Sequence, residues 1–207
     1  VAVSGVEAAK TREAMALYNR LAEDAAELLR VWRERSEPDS PTLFAALSSA
    51  SDARARLAGW LDRHGRRDDL LARLKQFSEE CFEIIPAVAD ALAQGNIAAL
   101  GGLVDRSQVG AELGLQNQVP ETIQLQRSAR GLGAVASSAF GAGFGGAVWA
   151  MVPETGAAQF LETWRAGYLT AFPNHSPNAR FLATRLGAAA KTVSTPPGQS
   201  SVYTIQS

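Results

Sequence analysis

The stretch SSAFGAGFGG, residues 137–146, is where residue types and spacing first suggest chemistry. Gly141, Gly143, Gly145 and Gly146 place four glycines in six positions. The apolar segments on either side, GAVASSAF and GAVWAMV, read as strands. Each glycine costs roughly 0.5–1 kcal/mol relative to alanine in regular structure, and a hairpin needs only one or two. Four imply positive φ angles, or the close approach of another backbone or of a phosphate whose oxygens the amides can face. Gly141, Gly143 and Gly146 satisfy G-x-G-x-x-G. A dinucleotide fingerprint, however, needs a helix after the loop to receive the pyrophosphate, and here a strand follows. No Lys-Ser/Thr ends the motif, so it is not a P-loop. Taken by itself, the loop also fits a flexible hairpin.

Few other residues carry chemistry. His64 in RHGRRDD and His175 in PNHSP have no acidic or nucleophilic partner nearby in sequence and read as solvated loop residues. Cys81 lies on the apolar side of its helix and reads as a buried small hydrophobe rather than a reactive thiol. Glu79, Glu80 and Glu83 read as a helix face in water. Trp149 and Trp164 read as core, packing strand against helix.

The elements that must position the loop follow from periodicity. The chain has 207 residues, 46% of them hydrophobic, which is enough for a real core. Lys+Arg 20 against Asp+Glu 21 leaves a net charge of -1. That balance gives no footprint for nucleic acid or an anionic membrane. One cysteine excludes an internal disulfide, and a reducing, cytoplasmic setting is the natural reading. VAVSGV at the start reads as a strand, expected to lie exposed as an edge and to promote self-association. A helix is expected over 7–35, with Met15, Leu17, Leu21, Leu28, Leu29 and Trp32 on its apolar face. Shorter helices follow at 42–47 and 52–64, with Ser51 as N-cap. A long helix is expected over 68–93, buried along Leu70, Leu74, Phe77, Cys81, Ile84, Ile85 and Val88. Further helices read at 97–113, 121–132 and 155–172, and a strand at 180–186. The tail over 188–207 reads as weakly structured, with a possible short strand at SVYTI. The fold class is α+β, a helical region followed by a small antiparallel sheet.

GAGFGG between two strands, after NQVPETIQLQRSARGLGA, resembles the third conserved motif of the galactokinase branch of the GHMP small-molecule kinases. VAVSGVEAAKTREAMALYNRLAE is similar to that family's strand-helix segment. LKQFSEECFEIIPAVADALAQGNIAALGGLVDRSQ resembles its helix-turn-helix region, and VPETIQL stands where the family carries V-x-x-P-E-L-D. The resemblance runs from Val1 to Val152 and more loosely to Gly187. It implies a GHMP kinase C-terminal domain over 1–187. It also implies ATP with Mg²⁺ as the donor in a complete enzyme, and transfer of its γ-phosphoryl to the anomeric hydroxyl of galactose or a related sugar. Tyr18, in LYNR, matches the sugar-contacting tyrosine. Ser138, Gly141, Ala142, Gly143, Phe144, Gly145 and Gly146 match the loop that packs beside the nucleotide phosphates and borders the sugar. Three departures stand out. Ser138, Ala139 and Phe140 replace a basic residue, a methionine and a hydroxyl residue. Thr122-Ile123-Gln124 replace the L-D stretch. The Ser-rich phosphate loop, catalytic aspartate and arginine of the family's N-terminal half have no counterpart in this chain. It is therefore expected to lack catalytic residues and metal ligands and to be inactive alone, the N-terminal half being its partner. A non-catalytic sugar or nucleotide sensor and a helical interaction domain remain open on the same scaffold.

Overall fold

The computed structural model describes residues 1–7, 12–185 and 187. The start of the first expected helix and the expected tail strand at SVYTI lie outside those residues. The first described helix is α1 (Arg12–Arg35). It is followed by α2 (Leu43–Ser48), α3 (Ala53–Trp60) and α4 (Arg67–Glu79). Thr42 caps α2, its hydroxyl accepting from the Ala45 amide at 3.1 Å. Asp52, not Ser51, stands at the α3 cap position, without a side-chain bond.

These four helices close one core. Leu28, Val31 and Trp32 of α1 meet Leu43, Leu47, Leu57, Leu70 and Leu74. Trp32 and Trp60 pack with ring centroids 5.5 Å apart. On the apolar face expected of α1, Leu28 and Trp32 are buried and Leu21 and Leu29 partly so. Leu17 is 47% exposed.

The expected long helix over 68–93 is interrupted. After α4 the chain makes one wide turn, Glu80–Ile84, with i→i+5 bonding, and then continues as α5 (Ile85–Ala93). Pro86 explains the widening. A proline ring inside a helix clashes with the carbonyl four residues back, and a π turn gives it room. The inserted residue rotates the helix phase, so Ile84 is buried while Ile85, expected in the core, is 54% exposed. A short 3₁₀ turn, Ile97–Ala99, leads to α6 (Leu100–Val109), which also runs into a π turn, Gly110–Leu115. α7 (Pro120–Gly131) starts with proline in its first turn. Then come β2 (Ala136–Ala139), β3 (Ala147–Met151), α8 (Ala157–Ala171) and β4 (Arg180–Phe181).

The first strand, β1 (Ala2–Val3), corrects an expectation. It is not an exposed edge. The sheet order is β2-β3-β1-β4, all neighbours antiparallel, so β1 is flanked on both sides and Ala2 is fully buried. The adhesive edge expected at VAVSGV is spent within the chain. Of the strand expected over 180–186, Arg180–Phe181 is paired as β4 among the described residues, and Leu182 is still bonded to Val1. On one face of the sheet Ala2 and Val148 pack against Leu125 and Ala129 of α7 and Trp164 and Tyr168 of α8. On the other, Ala136, Trp149 and Met151 pack against Ala91 of α5 and Leu100 of α6. Trp164 is 1% exposed, and its Nε1 donates to Leu125 O at 3.0 Å. The sheet thus lies between two pairs of helices, with the β2–β3 loop projecting from one end.

Candidate functional site

The loop joining β2 to β3 runs almost wholly through left-handed backbone. Gly141, Gly143, Phe144, Gly145 and Gly146 have φ of 66°, 86°, 60°, 122° and 85°. Phe144 is the costly member, since a residue with a Cβ loses roughly 1–2 kcal/mol there. Such strain persists only where the surroundings impose it.

Two segments do so. The first is Asn117, whose backbone carbonyl accepts from the Phe144 amide and whose Nδ2 donates to Ala142 O at 2.9 Å. A Cβ on Gly143 would overlap Asn117 O and lie 2.8 Å from its Cγ. The second is the run that follows β1. Gly146 N donates to Val6 O at 2.9 Å, and Ser4 N donates to Gly146 O at 2.9 Å. A Cβ on Gly145 would lie 2.9 Å from Val6 O and 3.1 Å from Glu7 O. Gly143 and Gly145 are therefore required by close approach of the chain's own backbone. Gly141 and Gly146 have nothing within 4 Å of a Cβ and are required by φ alone.

The supporting shell is polar and buried. Ser4 is fully buried; its hydroxyl donates to Gly146 O at 2.7 Å and accepts from Val6 N at 3.1 Å. Tyr168 donates to Ser4 O at 2.6 Å. Burial, with the Glu121 charge adding to it, pushes the Tyr168 hydroxyl up to about 12, so it stays a donor. On the β2 side, Gln108 of α6 accepts at Oε1 from Ser138 Oγ at 3.0 Å and from Ala139 N at 3.2 Å. Gln126 of α7 donates to Ser137 O at 3.2 Å.

The expected loop residues are thus brought together, and Ser138 joins them through Gln108. Tyr18 lies apart. It stands on α1, and its side chain is 54% exposed, not that of a core tyrosine. Asn117, Gln108 and Gln126 were not singled out by the sequence. Their one signal is the polar pair Gln116-Asn117 ahead of Pro120, which marks a loop but not what it touches.

Both histidines correct the sequence reading. His64 Nε2 lies 2.8 Å from Glu27 Oε1, and His175 Nε2 lies 3.0 Å from Glu121 Oε1. Their partners are 37 and 54 residues away, beyond any local pattern. Cys81 is partly buried, and burial pushes its thiol upward, away from reactivity. The three glutamates are committed elsewhere. Glu80 accepts from Ser107 Oγ at 3.0 Å, Glu83 pairs with Arg106 at 2.7 Å, and Glu79 faces Lys75 at 4.0 Å.

The loop's capacity lies in its amides. Among the described residues, no acceptor meets the N–H groups of Gly141, Ala142, Gly143 and Gly145. Gly143 and Gly145 are themselves buried, where an unpaired N–H is costly. Successive amides in backbone that alternates in hand form a concavity suited to anionic oxygens, and Ala142, without a positive φ, lies between the left-handed Gly141 and Gly143. Phosphate oxygens fit these donors. No group of three or more His, Cys, Asp or Glu able to hold a metal ion occurs among the described residues. No described helix is long and apolar enough to cross a membrane.

Comparison with known proteins places this architecture. The model of the family described as GHMP kinases C terminal matches residues 88–169, from α5 to α8 and including the glycine loop. The crystal structure of Lactococcus lactis galactokinase complexed with galactose is similar with a TM-score of 0.69 at 18% identity. The match covers 87% of this chain and 43% of that one, so the chain spans less than half the length of its structural relative. No curated protein matches in sequence. Residues 88–169 thus match a GHMP kinase C-terminal region, and the fold of the chain is galactokinase-like.

Proposed function

We propose that the chain is the C-terminal portion of a galactokinase-like sugar kinase, with residues 1–187 as its GHMP-type domain and 188–207 as a tail. The complete enzyme moves the γ-phosphoryl of MgATP to the anomeric hydroxyl of galactose or a related sugar, in the cytoplasm. The observation that carries this reading is the set of loop amides without acceptors at Gly141, Ala142, Gly143 and Gly145. Phosphoryl transfer is dominated by positioning and by stabilising charge on phosphate oxygens. Fixed amides supply both without reorganising. Bound ATP supplies the electrophilic phosphorus. Phe144 and Gly146, tied to Asn117 and Val6, hold the donors still. Tyr18 offers a hydroxyl to the sugar. The metal ligand, the group that deprotonates the sugar hydroxyl and the main phosphate cradle come from an N-terminal ATP-binding domain.

Two measurements test this. In a coupled kinase assay with galactose and ATP, the chain alone gives no turnover, and the complete enzyme does. In the complete enzyme, ATP shifts the NMR amide signals of Gly141, Ala142, Gly143 and Gly145. Turnover by the chain alone overturns the division of labour. Unshifted loop amides remove the loop from the nucleotide site. Binding without turnover in the complete protein favours the sensor.

A further inference from the structure

Asn117 and the run 4–6 hold the glycine loop from two sides. Each support is carried by further elements, and those elements are bonded to each other. On the Asn117 side, Gln118 Nε2 donates to Asn117 Oδ1 at 3.0 Å, and Gln118 Oε1 accepts from the Thr122 hydroxyl at 3.0 Å. Thr122 is fully buried in the first turn of α7, and its oxygen also accepts from Val119 N at 3.2 Å. Asn117 is thus locked to the start of α7, where Glu121 stands beside Thr122.

On the other side, Gly5 has a φ of 83° and lies against the short 3₁₀ turn after α8, Pro173–His175. A Cβ on Gly5 would lie 3.2 Å from both His175 Cβ and His175 O, and 3.1 Å from Ala179 N. The Ala179 amide closes that turn by donating to His175 O at 2.8 Å. Val6, whose carbonyl receives the Gly146 amide, is the residue after Gly5. With backbones packed this closely, the position of His175 sets the position of Val6. His175 Nε2 meets Glu121 Oε1 at 3.0 Å, with the two side chains 27% and 18% exposed. A carboxylate only accepts, so the imidazole donates from Nε2. At that burial the bond is not the solvent-screened pair of an open surface. The Glu121 charge also reaches Tyr168, whose hydroxyl donates to Ser4 O at 2.6 Å.

We infer that Glu121 and His175 are positioning residues: their bond closes a ring of contacts around the glycine loop and fixes its two supports relative to each other. The directions of the Gly143 and Gly145 amides follow from that spacing. Both residues act through the supports and not on a ligand. The left-handed backbone at Phe144 persists only while both sides impose it, so a support that drifts lets the loop relax and turns its amides. The consequence for turnover rests on the phosphate-binding reading of the loop; the ring of contacts does not.

The test uses Glu121→Ala and His175→Ala. The second keeps the Cβ and backbone that touch Gly5 and removes only the reach to Glu121. In this chain, each variant speeds hydrogen exchange at the Phe144 and Gly146 amides, which are bonded to the two supports, by about tenfold. Each also shifts the NMR amide signals of Gly143 and Gly145. The Val135 amide, bonded to Met151 O at the far end of the same hairpin, keeps its rate. The double variant is no worse than either single one, because both remove the same bond. Equal acceleration at Val135 reduces the pair to general stability, and additive effects in the double variant separate the two residues. Either result overturns the inference, as does an unchanged loop. In the complete enzyme each variant lowers kcat by about tenfold with the sugar KM unchanged. Unaltered kcat in an active enzyme overturns the positioning role. Absence of turnover in the unmutated complete protein refutes the kinase reading instead, and the exchange rates then decide the ring of contacts alone.

Discussion

Gly143→Ala tests the contact on which the site depends. A Cβ there overlaps Asn117 O and sits 2.8 Å from Asn117 Cγ, and both atoms belong to a segment fixed at its own ends. The loop must retreat, so two bonds are at risk: Phe144 N to Asn117 O, and Asn117 Nδ2 to Ala142 O. At about 0.5–1.5 kcal/mol each, with about 1 kcal/mol for a Cβ at positive φ, the loss is about 2–4 kcal/mol. Gly141→Ala is the control. Its φ is 66° but nothing lies within 4 Å of the new Cβ, so it loses only the backbone share, about 1 kcal/mol. Urea unfolding of both variants reads the difference, with the slope unchanged if only stability moves. Asn117→Ala removes the Nδ2 bond but not the carbonyl, and is expected to cost about 1 kcal/mol without relieving Gly143→Ala. Equal losses at positions 141 and 143 refute the argument. They would mean that Asn117 does not back the loop, and that its strain has no structural cause.

Three further outcomes follow from the structure. Tyr18→Phe in the complete enzyme raises the sugar KM more than the ATP KM and leaves unfolding unchanged, because the ring is 54% exposed; equal effects on both substrates exclude a sugar contact. Glu27→Gln flattens the acid limb of the stability curve. Hydrogen bonding to Arg30, then to His64, holds the Glu27 carboxyl at about 2 against an ordinary 4.5. A depressed folded value gives stability present above about 4.5 and lost as pH falls toward 2, so thermal unfolding measured across that window shows the change. Trp164→Phe removes the donor to Leu125 O and Ser128 Oγ and leaves a void beside Phe181. It lowers stability by about 2–4 kcal/mol in urea unfolding, whereas a loss under 1 kcal/mol would deny Trp164 its central place.

What was legible in the sequence was whatever depends on local pattern. Leu28, Leu70 and Leu74 lie in the core because threes and fours put them there. The β2–β3 hairpin and α8 follow from small and apolar residues at the right spacing. Pro86 was visible, but its consequence was not. The residue it inserts moves Ile85 out of the core, and periodicity counted across a π turn carries the wrong phase. The histidines failed for another reason, since each meets its glutamate only after the chain has folded back through whole helices.

Position 117 shows how the two kinds of information meet. The second π turn ends at Gln116, which takes a left-handed conformation at φ 52°. That single reversal carries the next residue under the glycine loop, where Asn117 receives Phe144 and grips Ala142. No spacing rule relates residues 117 and 143. The glycines themselves still held the answer in part. The choice between positive φ and close approach was not a choice: Gly141 and Gly146 serve the first, and Gly143 and Gly145 serve both. A loop pinned from two sides at its buried glycines cannot adjust to a ligand by moving as a hinge. Its amides are presented in fixed directions. A pocket that must bind charge without reorganising needs that property, and a flexible hairpin lacks it.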